Sequence, residues 1–261
     1  MVQIQNFINE KYEFWEKHHL DLTEHSGNFW VLHKLAETEK RINHVLLATE
    51  AIGSLEGKRV MDVGIAWGMW PHIMARLGAK VTGVDWSELY NQDGLQERHP
   101  TLNDVVAFDF TKDPWPFKDN SFDMITHLDL IEHVHPPLKH MLDEMHRVLK
   151  PKGVLLLTTP NLASFRKRLD MILGNSPTSQ IDRFYSDDPF IEHIKEYTMS
   201  ELKHLCQLTK FKITATRTID HLYFYKYAHA SRLTKVLYKI YKWVSYIYTP
   251  LKDTLVVIAK K

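Results

Sequence analysis

The sequence predicts a doubly wound α/β fold, in which helices cover both faces of an open and mostly parallel sheet. Three observations lead to this prediction. Between residues 58 and 160, short runs rich in Val, Ile and Leu alternate with segments of helical periodicity. The runs are almost continuously apolar, which is typical of strands buried on both faces. The segments between them are long enough to form the crossovers that parallel neighbours require.

Each strand of this alternating region is bounded by turn residues or by a helix. The helices are expected at 70–78, ending at Gly78, then after Ser87 as N-cap, and from Pro136–Pro137 to about Lys150. The five strand segments are KRVMDV (58–63), AKVTGVD (79–85), NDVVAFDF (103–110), SFDMITHLDL (121–130) and PKGVLLLTTPN (151–161).

Four regions are predicted along the chain. Residues 1–53 carry apolar side chains at helical spacing and form an N-terminal helical cap. Residues 54–160 form the α/β core. Residues 161–200 form an inserted segment that we expect to act as a lid, because a long polar loop follows a short helix there. Residues 201–261 complete the core with strands at 211–219 and 253–261, and an amphipathic helix is inserted at 229–248.

The composition narrows the classes of function. The 261 residues are 44% hydrophobic and 25% charged, as in ordinary globular domains. The formal net charge is +1, so no overall field attracts nucleic acid, and we expect no such partner. The one cysteine, Cys206, excludes a disulfide framework and a multi-thiolate metal site. A reducing compartment suits such a chain, and we expect it to be cytoplasmic.

A glycine turn follows the first strand, in the segment VMDVGIAWG (60–68). In doubly wound sheets, ligands bind beyond the carboxyl ends of the strands. Gly64 and Gly68 allow the backbone to approach such a ligand, and Asp85 at the end of the second strand can accept from both ribose hydroxyls. Asp62 would repel a pyrophosphate but not an ammonium group. The pattern therefore favours S-adenosylmethionine over a nicotinamide dinucleotide.

Five motifs together resemble those of a class I S-adenosylmethionine-dependent methyltransferase. They are VMDVGIAWG, VTGVDWS, VVAFDF, FDMITHLDLIEHV and LKPKGVLLLTTPN, in the order and spacing of that family. The resemblance implies a Rossmann-like sheet of seven strands whose last strand is antiparallel, with S-adenosylmethionine as cofactor. The chain departs from the family at Ala66, where glycine is usual, and a methyl group is tolerable there.

The resemblance also implies roles for single residues. The methionine half of the cofactor would lie along the glycine turn, the ribose on Asp85, and adenine between Trp86 and the Asp109 carboxylate. His127–Asp129 would face the sulfonium. Trp67 or Trp70 would contact the sulfonium or pack in the core, while Asp109 and Asp85 have alternatives as turn and cap residues. The cofactor-binding candidates are Asp62, Gly64, Gly68, Asp85, Trp86, Asp109, Phe110, His127 and Leu128.

Two histidines are the catalytic candidates. Transfer to a hydroxyl needs a base, and a neutral histidine suits that task near pH 7. His133 follows the fourth strand on the rim of the crevice, and His193 follows the polar loop beside Glu192 and Glu196. A metal ion is not expected. Its ligands would be Asp129, Glu132, His133 and His135, which span a strand-to-helix turn where side chains diverge.

The most favoured function is O-methylation of a small molecule, a sugar or a lipid-linked acceptor. N-methylation of a small amine and S-adenosylmethionine binding without catalysis remain alternatives. The basic trio Arg166–Arg168 in the lid would contact an acidic group of the substrate or remain solvated. The 229–248 helix, basic on one side and apolar on the other, would contact an anionic membrane, pack as a cap, or form a homodimer.

Overall fold

The computed structural model describes residues 40, 42–65, 69–86, 99, 102, 104–178, 181–185, 192–220 and 232–261. The strands are β1 Arg59–Val63, β2 Lys80–Asp85, β3 Asp104–Ala107, β4 Phe122–Leu128, β5 Leu149–Pro160, β6 Lys212–Ile219 and β7 Thr254–Lys260. The helices are α1 at 42–52, α2 Met69–Arg76, α3 Lys139–Val148, α4 Phe165–Ile172, α5 Ile181–Phe184, α6 Met199–Leu208 and α7 Arg232–Ile247.

The seven strands form one sheet in the order β3-β2-β1-β4-β5-β7-β6. The first five strands are mutually parallel, while β7 runs antiparallel to both β5 and β6. The predicted doubly wound, Rossmann-like sheet with an antiparallel last strand is therefore confirmed. The order reverses between β1 and β4, and this reversal opens the crevice where such folds bind ligands.

Two apolar clusters cover the two faces of the sheet, because successive strand side chains point to opposite sides. On one face, Val60 of β1 joins a cluster with side chains of α1 and α2. On the other face, Met61 joins a cluster with side chains of α3 and α6. Because both faces of these strands are covered, side chains on both sides of each strand have to be apolar. This explains the continuous apolar runs that predicted the fold class.

Some element boundaries differ from the sequence prediction. The helix expected from Pro136–Pro137 begins at Lys139, after Leu138 as N-cap. The stretch expected to be an irregular loop at 174–197 contains the one-turn helix α5. Most of the predicted cap, the helix after Ser87, Trp67 and Gly68 lie outside the described residues. The four-region division of the chain remains a prediction.

Candidate functional site

The carboxyl ends of β1, β2 and β4 lie side by side at the crevice. Asp62 of β1 pairs in register with Thr126 of β4 and with Gly83 of β2. The Thr126 hydroxyl donates to Oδ1 of Asp62 at 2.6 Å, and both residues are buried. This bond holds an acidic side chain beneath the turn that follows β1.

The turn after β1 depends on Gly64. Its φ is +78°, in the left-handed region that side chains disfavour. A Cβ built there would lie 2.5 Å from Cδ2 of Leu130, so the loop after β4 leaves no space for one. The backbone N–H of Gly64 donates to the Val84 carbonyl at 2.8 Å, which ties this turn to β2. The need for glycine at this turn therefore has two physical causes, and the approach of the Gly64 backbone to a ligand stays a prediction.

Asp85, Trp86 and Phe110 form one group beyond β2 and β3. Asp85 is buried, and its Oδ1 accepts from the backbone N–H of Trp86 at 2.8 Å. The Trp86 ring stacks on Phe110, with ring centroids 5.0 Å apart and planes 6° from parallel. The structure thus brings the predicted ribose and adenine residues together.

Asp109 directly precedes Phe110 of this group, and its carboxylate is bound by two residues of the turn that follows it. Its Oδ1 accepts from the backbone N–H and the hydroxyl of Thr111, and its Oδ2 lies 2.8 Å from Nζ of Lys112. Burial opposes the charged form, but the hydrogen bonds from Lys112 and Thr111 outweigh it and lower the pKa of Asp109 to about 2. These contacts match the turn role that was its alternative, and its contact with adenine stays a prediction.

His127 and Leu128 end β4, directly before the crevice. The His127 ring is fully buried, and neither ring nitrogen has a hydrogen-bond partner among the described residues. Burial lowers the pKa of His127 to about 3, so the ring is neutral at pH 7. Leu128 is partly buried and packs against the cluster that contains Trp70. Trp70 itself is a core residue in edge-to-face contact with His44.

The chain segment before α6 docks on the loop after β4. The backbone N–H groups of Ile194 and Lys195 donate to the carbonyl of Glu132, at 2.7 and 3.2 Å. Glu132 belongs to a short 3-10 helix, Ile131–His133. This docking places His193 against His133, with ring centroids 4.8 Å apart in an edge-to-face arrangement. The two predicted catalytic histidines, 60 residues apart in the sequence, therefore meet.

Glu132 completes this group, which we call the Glu132–His133–His193 cluster. One ligating atom from each side chain lies within 4.8 Å of the others. Glu132 is only 1% exposed, and its Oε2 accepts from the Thr159 hydroxyl at 2.8 Å. Its Oε1 has no partner among the described residues. Burial and the nearby Asp129 carboxylate raise the pKa of Glu132 well above its ordinary value.

Both histidines of the cluster are oriented through Nδ1. Nδ1 of His193 lies 2.7 Å from Oε1 of Glu196, and Nδ1 of His133 lies 3.3 Å from the carbonyl oxygen of Glu192. These oxygens only accept, so Nδ1 of each ring is the donor, and in a neutral ring Nε2 then keeps its lone pair. Burial, with the nearby His133 and Lys167, lowers the pKa of His193 to about 4, and its ring is neutral at pH 7.

The basic trio of the lid has a structural role at its central residue. Lys167 is buried and forms an ion pair with the buried Glu196. The expectation that Lys167 contacts a substrate acid or remains solvated is therefore wrong, because its charge compensates the carboxylate that orients His193. Nε of Arg168 donates to the Ala163 carbonyl at 2.6 Å.

The expectation that the acidic and histidine side chains after β4 diverge is only partly correct. Glu132 and His133 were expected to diverge, yet the 3-10 turn points both toward His193. Asp129 does point elsewhere, toward Lys40 and the Thr158 hydroxyl, and His135 is exposed. Thr159 and Glu196 were not singled out. Only the three-residue spacing of His193 and Glu196 signalled their contact, since that spacing fits a local turn.

Comparison with known proteins identifies the family. A model described as a methyltransferase domain matches residues 33–216, which is well over half of the chain. The chain belongs to the class I S-adenosylmethionine-dependent methyltransferases. The methyltransferase is 28% identical to the ubiquinone biosynthesis O-methyltransferase of Histophilus somni over 176 residues, covering 66% of this chain and 71% of the relative. It is 25% identical to the mitochondrial enzyme of that name from Schizosaccharomyces pombe over 193 residues, covering 69% of each chain.

Solved methyltransferases share the fold at low identity. One from Archaeoglobus fulgidus superposes with a TM-score of 0.56 at 19% identity, covering 85% of this chain and 94% of that one. One from Thermotoga maritima gives a TM-score of 0.56 at 17% identity and covers both chains completely. These likenesses confirm the architecture.

The crevice fits S-adenosylmethionine, the cofactor of this methyltransferase family. Gly64 turns the backbone sharply after β1, with a φ of +78°, and the buried Asp85 carboxylate lies at the end of the neighbouring strand β2. Carboxylates suit the hydroxyls and the ammonium group of this ligand better than they suit a pyrophosphate. The residues that hold each part of the cofactor remain predictions.

Proposed function

We propose that this methyltransferase transfers the methyl group of S-adenosylmethionine to a hydroxyl oxygen of a small acceptor. The Glu132–His133–His193 cluster carries this proposal. It lies at the carboxyl edge of β4 and brings two imidazoles together, and the neutral ring of His193 has an Nε2 lone pair that can take a proton. A hydroxyl needs such a group, whereas an amine that is already neutral attacks without one.

The reaction balances with these groups. S-adenosylmethionine supplies an electrophilic methyl carbon bonded to a positively charged sulfur. The acceptor oxygen forms a bond to that carbon as the carbon–sulfur bond breaks, and the electron pair of that bond stays on sulfur. The acceptor proton leaves through the cluster, with His193 or His133 as the first base. The products are a methyl ether, S-adenosylhomocysteine and one proton.

The proton acceptor of choice is His193. The Glu196 carboxylate fixes its tautomer and ring orientation, and Lys167 compensates the charge of that carboxylate. A positioned base of this kind contributes roughly 10²–10⁴ to the rate of transfer. His133, held only by the Glu192 carbonyl, helps to place the acceptor.

A phenolic ring with an isoprenoid tail, as in a quinone precursor, is the acceptor that we favour. The two relatives named above are both ubiquinone biosynthesis O-methyltransferases. A sugar linked to a polyprenyl carrier has the same two parts, a hydroxyl and a lipid tail. A small amine is the second class of acceptor.

We further propose that the outer face of α7 contacts an anionic membrane from the cytoplasmic side. An apolar stripe runs along this face at helical spacing. It consists of Val236, Ile240, Trp243 and Ile247, whose side chains are all exposed in the described part of the structure. Lys239 lies beside this stripe, Lys242 pairs with Asp220 at 3.4 Å, and residues 221–252 contain no acidic side chain. An apolar stripe with basic flanks suits an interface rich in acidic lipids.

The opposite face of α7 is packed against protein. The Tyr241 hydroxyl donates to Asp220, and its ring lies 5.6 Å from that of Phe165 on α4. Among the described residues, no helix combines the length and apolarity needed to cross a bilayer. A surface contact through α7 would bring the lid helix α4 close to lipid-linked acceptors.

The decisive experiment offers acceptors to the purified chain with S-adenosylmethionine. A catechol that carries a short prenyl tail, a polyprenyl-linked sugar and a small amine are compared, and mass spectrometry follows S-adenosylhomocysteine and the methylated product. We expect a methyl ether of the catechol. We also expect His193→Ala to lower kcat/KM by roughly 10²–10⁴ while the affinity for S-adenosylhomocysteine stays unchanged.

The outcomes separate the alternatives. Methylation of the amine alone would replace the proposal by N-methylation. Tight binding of S-adenosylhomocysteine without turnover of any acceptor class would favour a cofactor-binding protein without catalysis. An unchanged kcat/KM in the His193→Ala variant would remove His193 as the base.

A further inference from the structure

We propose that the Glu132–His133–His193 cluster binds one divalent transition-metal cation. This inference revises the expectation of no metal. It rests on the proposed function only for what the ion does in the reaction, because the binding of the ion follows from the cluster alone.

The ligand set and its spacing support an ion. Two imidazoles and one carboxylate are a common set of three protein ligands that leaves positions open for substrate. Their ligating atoms lie within 4.8 Å of one another. Two ligands about 2.1 Å from one ion lie at most about 4.2 Å apart, so the side chains need to close by only a fraction of an ångström to the ion.

The partly satisfied Glu132 carboxylate is an independent sign of a missing partner. The side chain is 1% exposed, and Thr159 satisfies only Oε2. Oε1 faces no donor among the described residues. A carboxylate oxygen left unpaired in the interior is costly, and a cation in the cluster would remove that cost.

Each ligand is also held as metal ligands usually are. Glu196 accepts from Nδ1 of His193, the Glu192 carbonyl accepts from Nδ1 of His133, and Thr159 donates to Glu132. Such outer hydrogen bonds fix the tautomer of each histidine and direct its Nε2 toward the ion. Lys167, bonded to Glu196, keeps that carboxylate from being a fourth ligand.

The donor atoms select the class of ion. Imidazole nitrogen suits Zn²⁺, Fe²⁺, Ni²⁺ and the similar ion Co²⁺, whereas Mg²⁺, Ca²⁺ and Mn²⁺ prefer oxygen ligands. An ion with open positions would bind the acceptor hydroxyl and lower its pKa, so the oxygen attacks in its deprotonated form. Both histidines would then use their Nε2 lone pairs to hold the ion. With the ion bound, the hydroxyl proton would therefore pass to solvent, and the metal would replace His193 as the group that activates the hydroxyl.

The test uses the full chain without a histidine tag, after removal of metal by a chelator. Co²⁺ is titrated by equilibrium dialysis while visible absorption reports nitrogen ligands. We expect one Co²⁺ per chain, displaced by Zn²⁺ but not by the same concentration of Mg²⁺. Glu196→Gln should weaken Co²⁺ binding about 10–100-fold, and His193→Ala and Glu132→Gln at least as much.

Two controls keep the result interpretable. His135→Ala removes an exposed histidine two positions from the cluster and should leave Co²⁺ binding unchanged. Titration with S-adenosylhomocysteine shows whether each variant is folded. If His193→Ala does not bind S-adenosylhomocysteine, Co²⁺ binding of wild type is compared with that of Glu132→Gln instead, because this substitution keeps the shape of the side chain.

The failure of this inference is distinguishable from failure of the proposed function. Absence of stoichiometric Co²⁺, or equal Co²⁺ binding in wild type, His193→Ala and Glu132→Gln, would overturn the metal site whatever the enzyme activity. Product formation that survives chelation would overturn the role of the ion in catalysis. Stoichiometric Co²⁺ without methylation of any hydroxyl acceptor would support the site and count against the proposed O-methylation.

Discussion

Glu132 and His127, two buried polar side chains near the end of β4, differ in how many hydrogen-bond partners they have among the described residues. Glu132 is buried with one oxygen bound and one oxygen without a described partner. His127, five positions earlier, is buried with both ring nitrogens unpartnered among the described residues. Burial disfavours the charged form of each group, and for His127 this makes the stability of the protein depend on pH.

His127 predicts a loss of stability on the acid side. The pKa of a histidine in the unfolded chain is about 6.5, whereas burial lowers the folded pKa of His127 to about 3. Below about pH 6.5 the unfolded chain therefore binds one more proton, and the free energy of unfolding falls as pH drops. The slope from this group is at most about 1.4 kcal/mol per pH unit, ending near its folded pKa.

Urea unfolding at several pH values between about 6.5 and about 4 measures this effect. The free energy of unfolding of wild type should fall relative to that of His127→Leu as pH decreases. His204→Leu, at an exposed position of α6, is the control and should track wild type. Parallel curves for wild type and His127→Leu would show that His127 takes up a proton in the folded protein.

The sequence indicated the type of these residues but not their partners. The turn at Gly64 and the acids Asp62 and Asp85 were predicted, because a glycine or an acid at a strand end has few other uses. The partners Thr159 and Glu196 were not predicted. They reach Glu132 and His193 through β5 and the segment before α6, and no local pattern records such contacts.

Helices and strands were predicted where one periodicity dominates. The capping box at Thr198 and Glu201 marks the start of α6, and the apolar runs mark β1, β4 and β5. The amphipathic pattern of α7 was also predicted, but the pattern alone left open whether its apolar stripe is buried. In the described part of the structure the stripe is not buried, since the Trp243 side chain is 67% exposed and the Ile240 side chain is 48% exposed.

The exposed stripe of α7 predicts binding to anionic vesicles. Trp243→Ser with Ile247→Ser should weaken binding at least tenfold, because each apolar side chain contributes about 1.5–3 kcal/mol when buried. Replacing Lys239 by Gln should cost about 1 kcal/mol, or roughly fivefold, and weaken the salt dependence. Co-sedimentation with vesicles containing phosphatidylserine measures both effects.

A matched control distinguishes this surface from general stickiness. Leu208 of α6 is as exposed as Trp243, and Leu208→Ser should leave vesicle binding unchanged. Sedimentation velocity without lipid tests the alternative of a homodimer. If wild type is a dimer, ignores vesicles, and becomes monomeric in the Trp243→Ser and Ile247→Ser variant, the stripe is a contact between two copies of the chain.

The complete fold couples the cofactor crevice to global stability. Because the crevice is built from the ends of β1, β2 and β4 in one sheet, unfolding destroys it. A ligand that binds only the folded chain stabilises it by about 2.7 kcal/mol at 100 times its Kd. For a chain of this size that shift corresponds to about 5–10 °C in Tm.

Thermal unfolding with S-adenosylhomocysteine should show this increase in Tm, while a nicotinamide dinucleotide should show none. Asp85→Ala should weaken the ligand at least about tenfold, since it removes a charged hydrogen-bond acceptor. Asp143→Ala, which breaks only the surface pair with Lys139, should keep the full increase. A larger increase with the dinucleotide would contradict the assignment of the crevice.

The fold class and the type of cofactor followed from the sequence, because buried parallel strands, glycine turns and strand-end acids leave local signatures, whereas the order of the strands in the sheet came from the structure. The meeting of Glu132, His133 and His193 did not. It depends on the lid segment docking on the Glu132 carbonyl, and on a buried Lys167 that turns Glu196 toward His193. Contacts between residues about 60 positions apart arise from packing, which a pattern read along one strand or helix does not contain.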